Sequence, residues 1–286
     1  MTILLEPFEF AFFTRALVAV ILIGALCGAL GGFVLLRGLS YIGQGLSQSV
    51  LGGVAVSMAL GLGLYTGAAV ATAVATLLID RVRRRRGLYA DAAIGIVTLS
   101  LFAVGVAVIS ANRSREFNVT NVLFGNVLGV KSSDLLLVGA VTAMFFLVLA
   151  TQYKPLLFTT FDPVVARSHG IRTGLMDALF NLCLAAVVVV SLRVLGVLLI
   201  AAALIIPAAT ARMATRSFAV MLPLSVALGV VGGVVGLYLS YYVDIASGPA
   251  VVLVHAALFT VTAVTTAVLN RVRGPSARLA GAAPAR

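Results

Sequence analysis

Apolar runs of about twenty residues, separated by short polar or glycine-rich joints, recur along the whole chain. Crossing the hydrocarbon core of a bilayer as a helix takes roughly twenty such residues. On that measure the candidate spans are 13–36, 40–62, 66–81, 90–111, 133–151, 175–192, 195–211, 218–241 and 250–270. The close pair 175–192 and 195–211 reads either as a hairpin or as one broken element. About eight or nine transmembrane helices are therefore expected. A membrane barrel would show alternating segments of about ten residues, and none is evident. The pattern predicts an all-α polytopic membrane protein.

Composition agrees. Of 286 residues, 62% are hydrophobic and 10% charged, against about 25% charged in soluble domains. Residues 1–12, MTILLEPFEFAF, are short and amphipathic and read as an N-terminal interfacial segment. Glu6 and Glu9 precede the first span without a basic leader, which is unlike a cleavable signal peptide. Residues 13–270 form one membrane domain. The tail, 271–286, is small, polar and proline-containing, and is expected to be disordered.

The net charge of +11 does not indicate a nucleic-acid partner, because the charges sit in short joints between spans. Five arginines fall in RVRRRRG (81–87). Others are Lys154, Arg167 and Arg172, then Arg212 and Arg216, then Arg271, Arg273, Arg278 and Arg286. These segments share one side if the later spans cross in pairs, and the positive-inside rule makes that side the cytoplasm, C-terminus included. Residues 112–132 and Asp244 then face outward. The N-terminus lies outside if the first three spans all cross; an interfacial first segment would change that. Asp244, in SYYVDIASGP, marks the outer mouth, where it attracts cations, meets a delivery protein, or is simply a solvated loop acid.

Few side chains inside the spans carry chemistry. Gln44 and Gln48 stand four residues apart, with Tyr41 and Ser47 beside them. On a helix that spacing puts both amides on one face, about 5–6 Å apart. An unpaired amide in hydrocarbon costs several kcal/mol, roughly, so the face should look inward. Either the glutamines hydrogen-bond across the bundle and hold two helices together, or they line a polar path. His255, the one intramembrane histidine, is a satisfied core residue or part of the same path. Asp91 suits a helix N-terminus, Arg193 suits the outer interface or a pairing with Asp244, and Pro207 predicts a kink. Cys27 and Cys183 read as buried structural thiols, and no metal-ligand set is evident. No GxxxxGK[ST] phosphate loop occurs, so any ATP would be bound by another chain.

The longest polar interruption is 152–174, QYKPLLFTTFDPVVARSHGIRTG. Asp162 before Pro163 suits an N-cap followed by proline at the first helical position, and Gly170 suits the stop. A short helix there either docks into a partner or is a capped connection.

Here a family resemblance becomes specific. FDPVVARSHGI resembles the coupling segment of ABC-3 permeases, the membrane subunits of bacterial zinc, manganese and iron importers. LRGLSYIGQGLSQSVLGGVAV (36–56), DAAIGIVTLSLFAVGV (91–106), NVLFGNVLGVKSSDL (121–135), VVSLRVLGVLLIAAALIIPAATAR (189–212) and LSYYVDIASGPAVVLV (239–254) resemble other motifs of that family in the same order. The likeness runs from about residue 13 to about 270.

The resemblance implies an ABC-3-type permease bundle, homodimeric, in the bacterial inner membrane. It implies three further partners: an ATP-binding cassette ATPase that holds ATP and Mg, an extracellular solute-binding protein, and lipid. This chain itself would carry no cofactor and no catalytic residue. Asp162, Pro163, Ala166, Arg167 and Gly170 would meet the ATPase. Tyr41, Gln44, Ser47, Gln48 and His255 would belong to the substrate pathway. The family usually has an acid at the position matching Gln44 and often a histidine at that matching Gln48. Both are neutral amides here, so the pathway's location carries over but its metal chemistry does not. The substrate class is a divalent transition metal (Zn, Mn or Fe) or a metal chelate. Rival readings are an ATP-independent secondary transporter and a non-transporting scaffold of the same fold.

Overall fold

A computed structural model describes residues 6–39, 41–83, 90–111, 123, 125, 127–197, 199–215 and 217–272. Among the described residues it contains ten α-helices and no strand. In chain order they are α1 (Ala11–Leu36), α2 (Ile42–Ala59), α3 (Leu64–Arg83), α4 (Ala90–Ala111), α5 (Ser132–Phe161), α6 (Pro163–Ser168), α7 (Thr173–Leu195), α8 (Ile200–Ala214), α9 (Phe218–Val243) and α10 (Ser247–Val272). Seven of them are long and apolar enough to cross a membrane: α1, α3, α4, α5, α7, α9 and α10. The glutamines, serines and glycines of α2 make it more polar, and α8 is short. α2 packs between α3 and α4 with one face left open, and α8 packs among α1, α9 and α10.

Contacts at the helix ends fix how the chain alternates. Phe13, near the start of α1, meets Tyr238 and Tyr241, near the end of α9, at 5.3 and 5.5 Å between ring centroids. The Tyr65 hydroxyl, at the start of α3, donates to Asp134, at the start of α5, at 2.8 Å. At the other end Arg37, just past α1, pairs with Asp177 near the start of α7 at 2.8 Å. Phe161, ending α5, meets Phe218, starting α9, at 6.1 Å. The ends carrying Arg37, Arg81, Arg167, Arg172 and Arg212 thus lie on one side, the basic end. Asp244, exposed and at φ +53°, lies between α9 and α10 at the opposite end.

Small residues let these helices approach. A Cβ on Gly24 of α1 would stand 2.6 Å from the carbonyl oxygen of Gly229 on α9, so the two backbones are in contact there. Gly52 of α2 meets the backbone of α4 in the same manner, and Gly53 meets α3. α7 stops at Gly196, whose φ of +75° suits a residue without a Cβ. The chain then turns within the bundle, where Leu195, Val197 and Ile200 are all buried. The pair 175–192 and 195–211 is therefore two helices, and α8 continues through Pro207.

Three expected boundaries shift. α5 does not end at residue 151 but runs to Phe161, bending at Gln152 (φ −111°, ψ 15°). Pro155 explains the bend: it has no N–H to donate one turn back, and its ring crowds the carbonyl there. The polar connection between spans shrinks to α6 and its flanks. α1 begins at Ala11, after a 3-10 turn at Glu6–Glu9, so the end of the 1–12 segment already belongs to the first membrane helix. α10 extends to Val272, into the expected tail. Residues 1–5, 84–89 with their arginines, most of 112–126, Arg216, the side chain of Arg193 and the tail from 273 lie outside the described residues.

Candidate functional site: a basic-end helix and a glutamine face

α6 is built as its sequence dictates. The Asp162 backbone is extended (φ −147°, ψ 95°), and its carboxylate accepts from the backbone N–H groups of Val164 and Val165 at 2.9 and 3.0 Å. Pro163 occupies the first helical position, where a missing N–H loses nothing. Gly170 adopts φ +76° and ends the element, its N–H donating to the Arg167 carbonyl at 3.0 Å. Ala166 is buried against the bundle, while Arg167 and His169 are exposed. The His169 ring stacks over Phe158 with 6.3 Å between centroids. Val164 is 72% exposed and Phe161 59% exposed. A capped helix at the basic end of the bundle thus presents apolar side chains outward beside a cation.

The second feature is a face of α2. Gly43 points to α8, where a Cβ would meet Leu204 at 3.2 Å, and Gly45 points to Ile94 and Thr98 of α4. Gln44 lies between these directions and is exposed; Gln48, one turn on, is half-buried, and Tyr41 is exposed beside them. Neither glutamine side chain hydrogen-bonds to another described residue. Among the described residues the amides cross-link no two helices of one protomer. Ser47 is buried and donates to the Gly43 carbonyl at 2.8 Å, so its hydroxyl is occupied within α2.

His255 is not part of this face. It is 3% exposed in a nook formed by Val20, Ile23 and Gly24 of α1, Leu195, Ala203 of α8, and Gly229 and Gly233 of α9. Gly232 leaves room for its ring. Neither ring nitrogen has a hydrogen-bond partner among the described residues. α8 stands between this nook and the glutamines. Cys27 and Cys183 are buried free thiols. Among the described residues no three His, Cys, Asp or Glu side chains gather as a metal-binding group.

Sequence reasoning passed over Arg37, Asp177, Asp80 and Asn181. Asp80 and Asn181 line a groove between α3 and α7, near the basic end, that Asp177 also borders. An acid inside an apolar span, such as Asp177 in 175–192, was the signal available.

The model of the ABC 3 transport family matches residues 9–266. The manganese transport system membrane protein MntC of Halalkalibacterium halodurans is 36% identical over 251 residues, 88% of this chain and 86% of that one. The chelated iron transport system membrane protein YfeC of Yersinia pestis is 34% identical over 257 residues, 90% of this chain and 87% of that one. Among solved structures, PsaBC from Streptococcus pneumoniae in complex with Fab superposes with a TM-score of 0.80 at 34% identity, covering 90% of this chain and 92% of that one.

Proposed function

The chain belongs to the ABC 3 transport family, and from that premise we propose how it works. It is a multi-pass permease subunit of a bacterial ABC importer for a transition metal. A separate subunit hydrolyses ATP, and this chain supplies the conduit.

One observation carries the reading. α6 is a rigidly capped helix that exposes Val164 and Arg167 at the basic end, between two membrane helices. An apolar residue flanked by charge, outside the membrane, is what a soluble partner grips. The basic end is cytoplasmic by the positive-inside rule, which puts α6 and the C-terminus beside the ATPase and Asp244 toward an extracellular binding protein. A second copy of the chain faces α2, so that Tyr41, Gln44 and Gln48 from both copies border one path. Closure of the ATPase dimer moves α6, and the two permease halves alternate between outward and inward access.

The two amides also bear on the cargo. Carbonyl oxygens are neutral, hard donors that suit Mn²⁺ better than Zn²⁺, which prefers nitrogen and sulfur. Without a carboxylate on this face the ion keeps more of its water and is held briefly, which favours passage over storage. Manganese is the proposed substrate, with an iron chelate as the alternative that needs no ligand here.

The test is uptake by proteoliposomes holding the permease, its ATPase and the binding protein, with Mn²⁺, Fe²⁺, Zn²⁺ and a ferric chelate supplied in turn. ATP-dependent Mn²⁺ uptake is expected. Equal uptake with no ATPase present would overturn the importer reading; preference for Zn²⁺ or the chelate would overturn the choice of manganese.

A further inference from the structure

Arg37 is the first residue past α1, in the short turn that leads into α2. Its side chain is only 10% exposed, although it sits at the polar end of the bundle. Nη1 donates to Asp177 of α7 at 2.8 Å. Nε donates to the Thr160 hydroxyl at 3.1 Å, and Nη2 to the Thr159 hydroxyl at 3.4 Å, both on the last turn of α5. The guanidinium carbon also lies 4.1 Å from the centre of the Phe180 ring on α7. One planar fork therefore grips two helices at once, by charge, hydrogen bond and cation–π contact, a combination lysine cannot reproduce.

Those two helices are the ones that carry α6. α5 ends at Phe161, immediately before it, and α7 begins at Thr173, after it. The ends of α5 and α7 cannot move with α6 without moving Arg37. The turn that bears Arg37 is itself stiff. Arg37, Gly38 and Leu39 donate their N–H groups to Phe33, Leu35 and Val34 at 3.0, 3.2 and 3.1 Å, and the Ile42 N–H donates to Leu39 at 2.9 Å. Leu39 is buried. Gln44 follows in the first turn of α2. A displacement at α6 thus has a continuous, hydrogen-bonded route to the glutamine face.

We propose that Arg37 is a positioning residue for transport, which transfers the movement of α6 to α2 through its grip on Asp177, Thr159 and Thr160. The proposal rests on the permease reading above. Losing the fork would leave ATP hydrolysis running while the path fails to respond.

The experiment uses the full complex of permease, ATPase and binding protein in proteoliposomes, with Mn²⁺ as probe, and measures uptake and hydrolysis in parallel. For Arg37→Gln, ions moved per ATP should fall on the order of tenfold, the scale of an ordinary coupling energy between sites. Hydrolysis should stay within about twofold of wild type, with assembly retained and the unfolding temperature lowered by the lost bonds. Arg37→Lys should fall partway. The charge-exchanged double variant, Arg37→Asp with Asp177→Arg, should recover ions per ATP above either single change. Uptake and hydrolysis falling in proportion, or a double variant no better than its parents, would show a merely structural arginine and overturn the proposal. If Arg37→Gln prevents assembly, Thr159→Val with Thr160→Val decides: a lowered ratio supports the clamp and an unchanged ratio overturns it. A wild-type complex that moves no metal with ATP defeats the permease reading itself. Normal transport with an unaffected Arg37→Gln ratio defeats the clamp alone.

Discussion

Ser225 of α9 donates its hydroxyl to the carbonyl oxygen of Gly28 on α1, 2.7 Å away. The bond forms where the two backbones already touch, since neither Gly24 nor Gly28 has room for a Cβ against α9. Close approach of small residues, rather than burial from water, is what joins helices within lipid. α1 and α9 are therefore the fixed seam of the protomer. Gly24→Leu should force them apart and destabilise the fold by about 1–3 kcal/mol or more, as overpacking does. Ser225→Ala should lose only about 0.6 kcal/mol, typical of one hydrogen bond between membrane helices. Cys27 and Cys183 are buried, so a thiol-reactive dye reports unfolding directly. The unfolding temperature should drop far more for Gly24→Leu than for Ser225→Ala, and equal drops would contradict the seam.

The cap on α6 gives a second prediction. Asp162→Ala removes both bonds to the Val164 and Val165 amides and should cost α6 about 1 kcal/mol. For a six-residue helix that is enough to loosen it, while the bundle stays folded. Stimulation of ATP hydrolysis by the loaded binding protein should weaken. Asp162→Asn caps equally well and should behave as wild type. If the alanine variant also couples normally, α6 is not the docking element.

Much of this fold was legible in the chain because its helices are written as uninterrupted apolar runs. The nine candidate spans each correspond to a helix, with ends displaced by a few residues except at α5, which runs on past 151 to Phe161. α6 was legible because Asp162, Pro163 and Gly170 each act on the backbone locally. The extension of α5 was hidden by Pro155, which reads as a break. Helix resumes beyond it, and Thr159 donates back to the Pro155 carbonyl at 3.0 Å. The Arg37 cluster was illegible for another reason. Its partners lie 122 to 140 positions away in sequence, and only the packing of α5 against α7 brings them together. Likewise, periodicity put Gln44 and Gln48 on one face but did not say which neighbours flank it, and it gave no sign that α8 separates that face from His255.

His255 yields a third prediction. A buried ring whose nitrogens make no well-aligned bond to a described residue, with only the nearby backbone of Leu228, Gly229 and Val251 to meet them, carries part of a desolvation penalty of about 1–3 kcal/mol. Leucine is apolar and close in volume, so His255→Leu should leave the unfolding temperature unchanged or raise it. Because the nook lies behind α8, uptake should stay within about twofold. A large loss of uptake with stability intact would place His255 on the path after all.

The glutamine pair yields the last. Gln44 is exposed and Gln48 half-buried in the protomer, and neither bonds to a described residue. Replacing both with alanine removes no hydrogen bond to a described residue of the chain, and alanine favours helix more than glutamine does. Stability of the protomer should therefore change by no more than about 0.5 kcal/mol, as for substitutions away from buried networks. Transport should respond differently. If the amides border the path, their loss strips oxygen donors from both copies at once, and Mn²⁺ must shed water with nothing to replace it. Uptake should fall about tenfold or more, with hydrolysis still responsive to the binding protein. Gln44→Asp with Gln48→His tests the same point from the opposite direction. An anionic oxygen and an imidazole four residues apart hold a divalent ion more tightly, so apparent affinity should rise while turnover slows. Loss of assembly without a change in ions moved per ATP would mean instead that the amides bond across the interface between copies.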